Sequence, residues 1–192
     1  IYVWAASLTA TEYPVEYVTT RNLLKDSQDF ERSTWSTVGS QINNDIHSAP
    51  DGTLTADKVV ENSASGLHGV YRLGISLIGN NTWSFYAKAG ERTRIALDAY
   101  NGTSGSVHVF DLSTGEVVSN PSGTATITDV GGGWYRCTAS RTAGANSQFA
   151  LYLVSSGTTL SYTGDNTSGV LVWGAQLEPG STATDYVRTV DA

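Results

Sequence analysis

The sequence predicts an all-β protein, a two-sheet antiparallel jelly-roll β-sandwich. Three observations carry that prediction. No stretch of the 192 residues sustains a helical period. Short segments alternate apolar and polar side chains, as half-buried strands do. Turn signals built from Gly, Asn, Asp, Ser and Pro separate those segments at short, regular intervals. The strand count suits two packed jelly-roll sheets better than a seven-strand immunoglobulin-like core, which would also need a Cys pair; Cys137 is the only cysteine.

Taken in order, Ile1 to Leu8 alternates and reads as a strand, and residues 9 to 20 form an extended tail broken by Pro14. Arg21 to Phe30 opens a new domain, with Leu23 and Leu24 as its first core residues. Trp35 and Val38 sit on a short extended piece. Pro50-Asp51-Gly52 is a turn, and residues 56 to 61 are a strand. In the strand from Gly69 to Ile78, Tyr71, Leu73, Ile75 and Leu77 are expected on the core face and Arg72 on the other. Gly79-Asn80-Asn81 reads as a turn before a strand at 83 to 89, which returns at 94 to 100. Val107 to Leu112 and Glu116 to Val118 form a hairpin around Ser113-Thr114-Gly115. Strands at 125 to 130 and 134 to 141 flank Gly131-Gly132-Gly133, and a further strand covers 148 to 154. The closing strand starts at Val170.

The first twenty residues repeat Val170 to Thr189 of that closing segment. Val3, Trp4, Ala6, Leu8, Tyr17, Val18 and Thr20 align without a gap to Val172, Trp173, Ala175, Leu177, Tyr186, Val187 and Thr189. The expected organisation is therefore the last strand and exit tail of a preceding homologous domain at 1 to 20, then a complete domain at 21 to 192. With no Met and an opening in mid-strand, the chain reads as one link of a longer tandem array.

Composition narrows the function. Lys plus Arg is 11 against 18 Asp plus Glu, a net charge of −7, which argues against nucleic acid as a partner. No apolar run is long enough for a membrane span, so no membrane insertion is expected. Cys137 lies on a strand beside Tyr135 and Ala139 and reads as a buried, inert thiol. His47, His68 and His108 stand far apart in the sequence, outside any nucleophile or metal-spacing motif, and the expectation is that the domain is not an enzyme. Asp98, Asp111 and Glu116 are the strand-associated acids that a glycoside hydrolase would have to draw on. Gly131-Gly132-Gly133 is no phosphate loop, because no helix follows it.

Sugar binding needs an aromatic surface and polar groups able to bond hydroxyls. Alternation places Arg72, Tyr86, Lys88, Asp98, Tyr100, His108, Arg136 and Tyr152 on faces opposite the core, as candidate ligand-binding residues in one row across adjoining strands. Trp134 shares the face of Arg136. Trp83 and Trp173 share faces with apolar neighbours and are expected in the core, Trp173 beside Leu171, Ala175 and Leu177.

Several phrases together resemble one family: RNLLKDSQDFERSTW, APDGTLTADKV, WSFYAKAGERTRIAL, FDLSTGEVV, GGGWYRCTA and YTGDNTSGVLVWGAQLEPGSTATDYVRT. It is the jelly-roll, carbohydrate-binding-module-like domain of bacteriophage and prophage tail-fibre, tail-spike and head-fibre proteins, and the resemblance spans about residues 21 to 189. It implies a two-sheet sandwich on the virion surface, with host cell-surface polysaccharide, adjacent virion proteins and copies of its own chain, as a trimer, for partners. It also leaves a second role open, a spacer or trimerising collar with no ligand of its own. The cofactor expectation is none, apart from a structural calcium ion of the kind such modules hold. Asp26 and Asp29 would supply oxygens to it, but the closing strand carries Trp173 and Gly174 where acids would complete the set.

Overall fold

The computed structural model describes residues 22–191, and every regular element among them is a β-strand. The duplicated segment at 1 to 20 lies outside the described residues. Two six-stranded antiparallel sheets pack face to face. The first runs β1 (Ser36–Val38), β5 (Gly69–Ile75), β12 (Ser147–Val154), β7 (Arg94–Asp98), β8 (Val107–Asp111), β9 (Glu116–Ser119). The second runs β10 (Thr124–Gly131), β11 (Trp134–Ala143), β6 (Gly79–Ala89), β14 (Gly169–Pro179), β3 (Leu54–Glu61), β2 (Ser40–Ser48). A two-stranded piece, β4 (Ser65–Gly66) with β13 (Tyr162–Thr163), completes the jelly-roll sandwich.

The inward residues of both sheets form one core. Phe85, Trp83, Cys137, Ala139, Val172 and Leu177 come from the second sheet; Ile95, Leu97, Phe110, Phe149, Leu151 and Leu153 come from the first. Phe85 meets Phe110 and Phe149 edge-on, the geometry that the charge distribution of aromatic rings favours. The segment before β1 plugs one side. Leu24, Phe30 and Trp35 are buried there, with Trp35 edge-on to Phe149 and its indole donating to Asp26 O at 2.9 Å. Burial pushes the Cys137 thiol well above its usual pKa, which keeps it protonated and unreactive.

Several facings differ from the alternation reading. On β5 the core residue is Val70, paired with Leu151, while Tyr71 is half-buried and Leu73 is 60% exposed. An irregularity opposite Ser147 and Phe149 shifts the register, which brings Ile75 back against the core. Residues 79 to 81 are not a turn; they begin β6 and pair with Ala143, Thr142 and Arg141. The strand β2 was not expected at all. Its QINNDIH run is polar and largely exposed, so it lacks the apolar alternation that marks a strand.

Trp173 is buried, at 3% exposure, but not between the sheets. The register of β14 on β6 slips between Trp173 and Gln176, where Gly174 takes φ +62°. That bulge reverses the alternation: Val170, Val172, Ala175 and Leu177 point inward, whereas Leu171 and Trp173 join a second apolar cluster with Trp134, Ala49 and Ala56 on the outer face. The tail after β14 folds back over this cluster. Tyr186 packs on Trp173 with ring centroids 4.6 Å apart, and its hydroxyl meets Ser27 Oγ at 2.6 Å. Asn22 fastens the start of the domain to both, donating to Ala175 O and Val187 O and accepting from Leu177 N.

Asp57 is a buried carboxylate on the core side of β3. It accepts from Phe30 N and Asp45 N, both at 2.9 Å, and so ties the N-terminal plug to β2. Burial raises its pKa to about 7, against the pull of those two donors. Its folded pKa lies above its unfolded one, so the stability linked to its proton is complete below about pH 4 and is lost as pH rises through about 7. His108, whose pKa burial lowers, works in the opposite sense over part of this window. The expected result is a difference between chains. In urea titrations between about pH 5 and pH 8, wild type should lose stability relative to Asp57→Asn, by at most about 1.4 kcal/mol per pH unit. Parallel pH profiles would show that Asp57 stays ionised throughout.

Candidate functional site

The outer face of the second sheet carries the site. Three adjoining hollows run along it, of about 380, 530 and 640 Å³. The first and second share Val130; the second and third share Thr124, Ser140 and Ser181. Together they make one groove from the β10–β11 turn to the end of the sandwich at Asn80 and Asn101.

The floor follows from strand register. Cross-strand partners in an antiparallel sheet point to the same side. Thr128 pairs with Arg136 and Arg136 with Tyr86; Thr126 pairs with Thr138 and Thr138 with Ser84; Thr124 pairs with Ser140 and Ser140 with Thr82. Ile127 and Ala125 alternate with the threonines and point inward, opposite Cys137 and Ala139. The result is a ladder of hydroxyls. Thr126 and Thr138 meet at 2.7 Å, as do Thr82 and Ser140. Each hydroxyl can both donate and accept, so the floor is suited to a partner rich in hydroxyls.

Residues 181 to 183 of the returning tail form one wall, and Thr184 follows directly. Arg136 reaches across to it, donating Nη2 to Thr184 O, and lies with its guanidinium carbon 5.5 Å from the centroid of the Tyr86 ring. The Arg136 Nε–H is buried and has no partner among the described residues. Glu178 fixes the wall from below, accepting from Thr184 N at 2.9 Å and from Gln176 Nε2 at 2.8 Å. At the other end Gly131, Gly132 and Gly133 all take positive φ, which bends β10 into β11 and lets the turn border the hollow beside His47 and Lys88. Trp134 shares the face of Arg136 as expected, but it is buried, donating Nε1 to Ser48 O and edge-on to His47.

Of the eight candidate residues, the structure brings three together here: Tyr86, Lys88 and Arg136. The expectation of a single row is corrected, because four of the other five lie on strands of the first sheet and Tyr100 follows β7 of that sheet. Asp98 and Tyr152 are neighbours there on β7 and β12. Burial raises the pKa of both, Asp98 against hydrogen bonds from Ser106 N and Gln148, and Tyr152 with the Asp98 charge adding to the effect. Tyr100 lies in the loop beyond β7 and is half-buried. Arg72 sits on the core side of β5 opposite Phe149, its guanidinium donating to Lys25 O. His108 is corrected most sharply. It is fully buried, paired with Leu97 on the Phe110 side of β8, with Nε2 3.1 Å from Ser106 Oγ. Val107 and Val109 take the outer face of that strand because Tyr152 and Leu160 cover them, a cover that alternation alone does not reveal.

The acids considered for hydrolysis are engaged elsewhere. Burial alone would raise Asp111, but Ser113 and Arg94 hold its pKa down to about 2. Asp26, considered for calcium, accepts from Thr34 Oγ1 and Asp191 N. Among the described residues no group of three or more His, Cys, Asp or Glu is placed to hold a metal ion. The threonine ladder was missed in the sequence. Its signal was there as Thr124-x-Thr126-x-Thr128, which reads as ordinary solvent-face alternation until β11 adds Thr138 and Ser140 alongside.

No family model matches the chain, and no curated protein matches it. Among solved structures it is similar to the enzymatically active domain of tailspike protein 4 of bacteriophage CBA120, at 12% identity and a TM-score of 0.49 over 82% of this chain and 21% of that one. It is also similar to the CBM22-1–GH10 modules of an N-terminal endo-1,4-β-D-xylanase of Clostridium thermocellum, at 18% identity and 0.43 over 86% of this chain and 30% of that one. A third is the CBM22-1 xylan-binding domain from Paenibacillus barcinonensis, at 14% identity and 0.43 over 78% and 90%. The chain spans about a fifth of the tailspike chain and under a third of the xylanase chain. The assignment as a two-sheet sandwich rests on its own strand order.

Proposed function

We propose that this domain is a non-enzymatic glycan-binding module of a virion attachment fibre, and that its ligand lies in the groove on the outer face of the second sheet. The observation that carries the reading is the hydroxyl ladder, walled by the returning tail and open over the length of three hollows. A polysaccharide presents hydroxyls at every step, and a row of Thr and Ser can exchange hydrogen bonds with them without demanding one register. The groove lining contains no Asp or Glu among the described residues, so it offers binding groups without an acid–base pair. The fibre setting is supported by the run of family-like phrases from residue 21 to 189.

The test is a glycan array probed with the domain, together with its mass in solution. A paired variant, Thr126→Val with Thr138→Val, removes two floor hydroxyls and keeps the branched shape that strands favour. Two lost neutral hydrogen bonds should weaken binding about tenfold, with the melting temperature little changed. A stable trimer that binds no glycan would replace this reading with the collar.

A further inference from the structure

The groove has a charge of its own, opposite to that of the protein. The chain is net −7, yet the lining of all three hollows holds Lys88, Arg136 and Arg141 and no carboxylate among the described residues. Elsewhere five of the cations stand against the protein's own acids, while Arg72 donates to Lys25 O and Arg188 is exposed on the tail. Lys25, Arg32, Lys58, Arg92 and Arg94 each stand within 4.0 Å of a carboxylate. Lys88 and Arg136 do not. Lys88 projects from β6 opposite Trp134 and Leu171, half-buried, its stem against Gly133. Arg136 spends one nitrogen on Thr184 O and Ser84 Oγ and forms no ion pair with an acid among the described residues. Arg141, at the far end, braces Ala99 O and Ser104, and its charge reaches Asp98 only at a distance. In an acidic protein, unmatched cations gathered in one groove raise the local concentration of anions against the overall field.

We infer that the polymer bound in this groove is an anionic polysaccharide, with carboxylate or sulfate groups seated on Lys88 and Arg136 and a further one near Arg141. The inference rests on the glycan reading above and adds the ligand's charge. Strand rise sets the spacing: five residues along β11 put Arg141 roughly 17 Å from Arg136, and the odd step turns its side chain to the end of the sandwich at Ala99 and Ser104, where it lines the last hollow. Lys88 is one strand away from Arg136 and two residues further along β6. A ligand meeting all three must therefore span several sugar units, and short oligomers should bind more weakly than long ones.

The experiment uses the whole domain and six polymers. Polygalacturonate, alginate, hyaluronan and dextran sulfate are the anionic probes; methyl-esterified polygalacturonate and dextran are the neutral ones. Affinity for at least one anionic probe is expected, falling about tenfold between roughly 0.05 and 0.5 M salt as the charges are screened. The uronates and the sulfated probe separate carboxylate from sulfate recognition. Lys88→Gln should weaken binding about fivefold and Lys88→Arg should restore it. Lys88 makes no hydrogen bond or ion pair within the described residues, so this pair reads charge and not folding. Two outcomes overturn the inference and leave the glycan reading standing: equal affinity for the esterified and the free polymer, or array hits confined to neutral glycans. Absence of any glycan binding removes both, and tighter binding of a single-stranded oligonucleotide than of any glycan also overturns it.

Discussion

Glu61→Ala is expected to cost about 3–5 kcal/mol, the cost of stranding one half of a buried ion pair. Glu61 ends β3 and is fully buried. Its two oxygens take four hydrogen bonds: Arg92 Nε at 2.9 Å, Arg92 Nη2 at 2.5 Å, Tyr162 OH at 2.7 Å and Asp165 N at 3.0 Å. Burial alone would raise its pKa; the Arg92 and Tyr162 bonds outweigh that and hold it below the usual value. Arg92 is correspondingly held charged, and Tyr162 is pushed above its usual range by burial and by the Glu61 charge. Alanine leaves three groups without their acceptor at the junction of β3, the β6–β7 turn and the small β4–β13 sheet. Replacing both partners by apolar residues should restore much of the loss, because the desolvation of the pair disappears with it. A double-mutant cycle with Arg92→Met and Glu61→Leu, read from urea midpoints, checks this. Additive losses would mean that the two side chains do not act as a pair. The sign with pH is also fixed. A carboxylate held below its unfolded pKa contributes fully above about pH 4.5 and loses its contribution as pH falls through the folded value.

This ion pair shows where sequence reasoning stops. Glu61 follows Val59 and Val60 at the end of a strand, and its neighbours there give no hint that Arg92 will meet it across 31 positions. Alternation reported the strands that have one wet and one dry face, such as β6, β11 and β12, and so the sandwich itself was legible. It failed where both faces are covered. On β8 the outer residues Val107 and Val109 are as apolar as the inner Phe110, so the phase of His108 could not be read. On β14 nearly every residue is buried, and the bulge at Gly174 reverses the phase in mid-strand. The candidate site suffered from the same cause. Tyr86, Lys88 and Arg136 were picked out because their strands alternate plainly. The grouping into one groove depended on sheet order, which follows from long-range pairing and not from any local pattern.

Trp173→Ala should be the other severe substitution, and its pattern distinguishes the outer cluster from the core. Truncating a buried Trp costs about 3–5 kcal/mol through lost contact and the cavity left behind. At this position the loss should be divided between global stability and the seating of the tail. Trp173 packs on Tyr86 at 5.2 Å and on Tyr186 at 4.6 Å, and its indole donates to Thr55 Oγ1 at 2.9 Å. Without it Tyr186 loses its support, and the strap from Thr184 to Thr189 is left to its polar ties at Gln176, Glu178 and Ser27. Amide exchange at Val187 and Thr189 should therefore quicken by more than the global loss accounts for, because local opening then precedes unfolding. Trp83→Ala, by contrast, removes a side chain buried between the sheets and should speed those same amides only in step with the core. Because the strap follows directly on the wall residues 181 to 183 and holds Arg136 at Thr184, Trp173→Ala should also weaken glycan binding in protein that is still folded, whereas Trp83→Phe should not. Parallel exchange in the two alanine variants would show that the outer cluster and the core unfold as one unit. The strap would then be part of the sandwich, not a separable support for the wall of its groove.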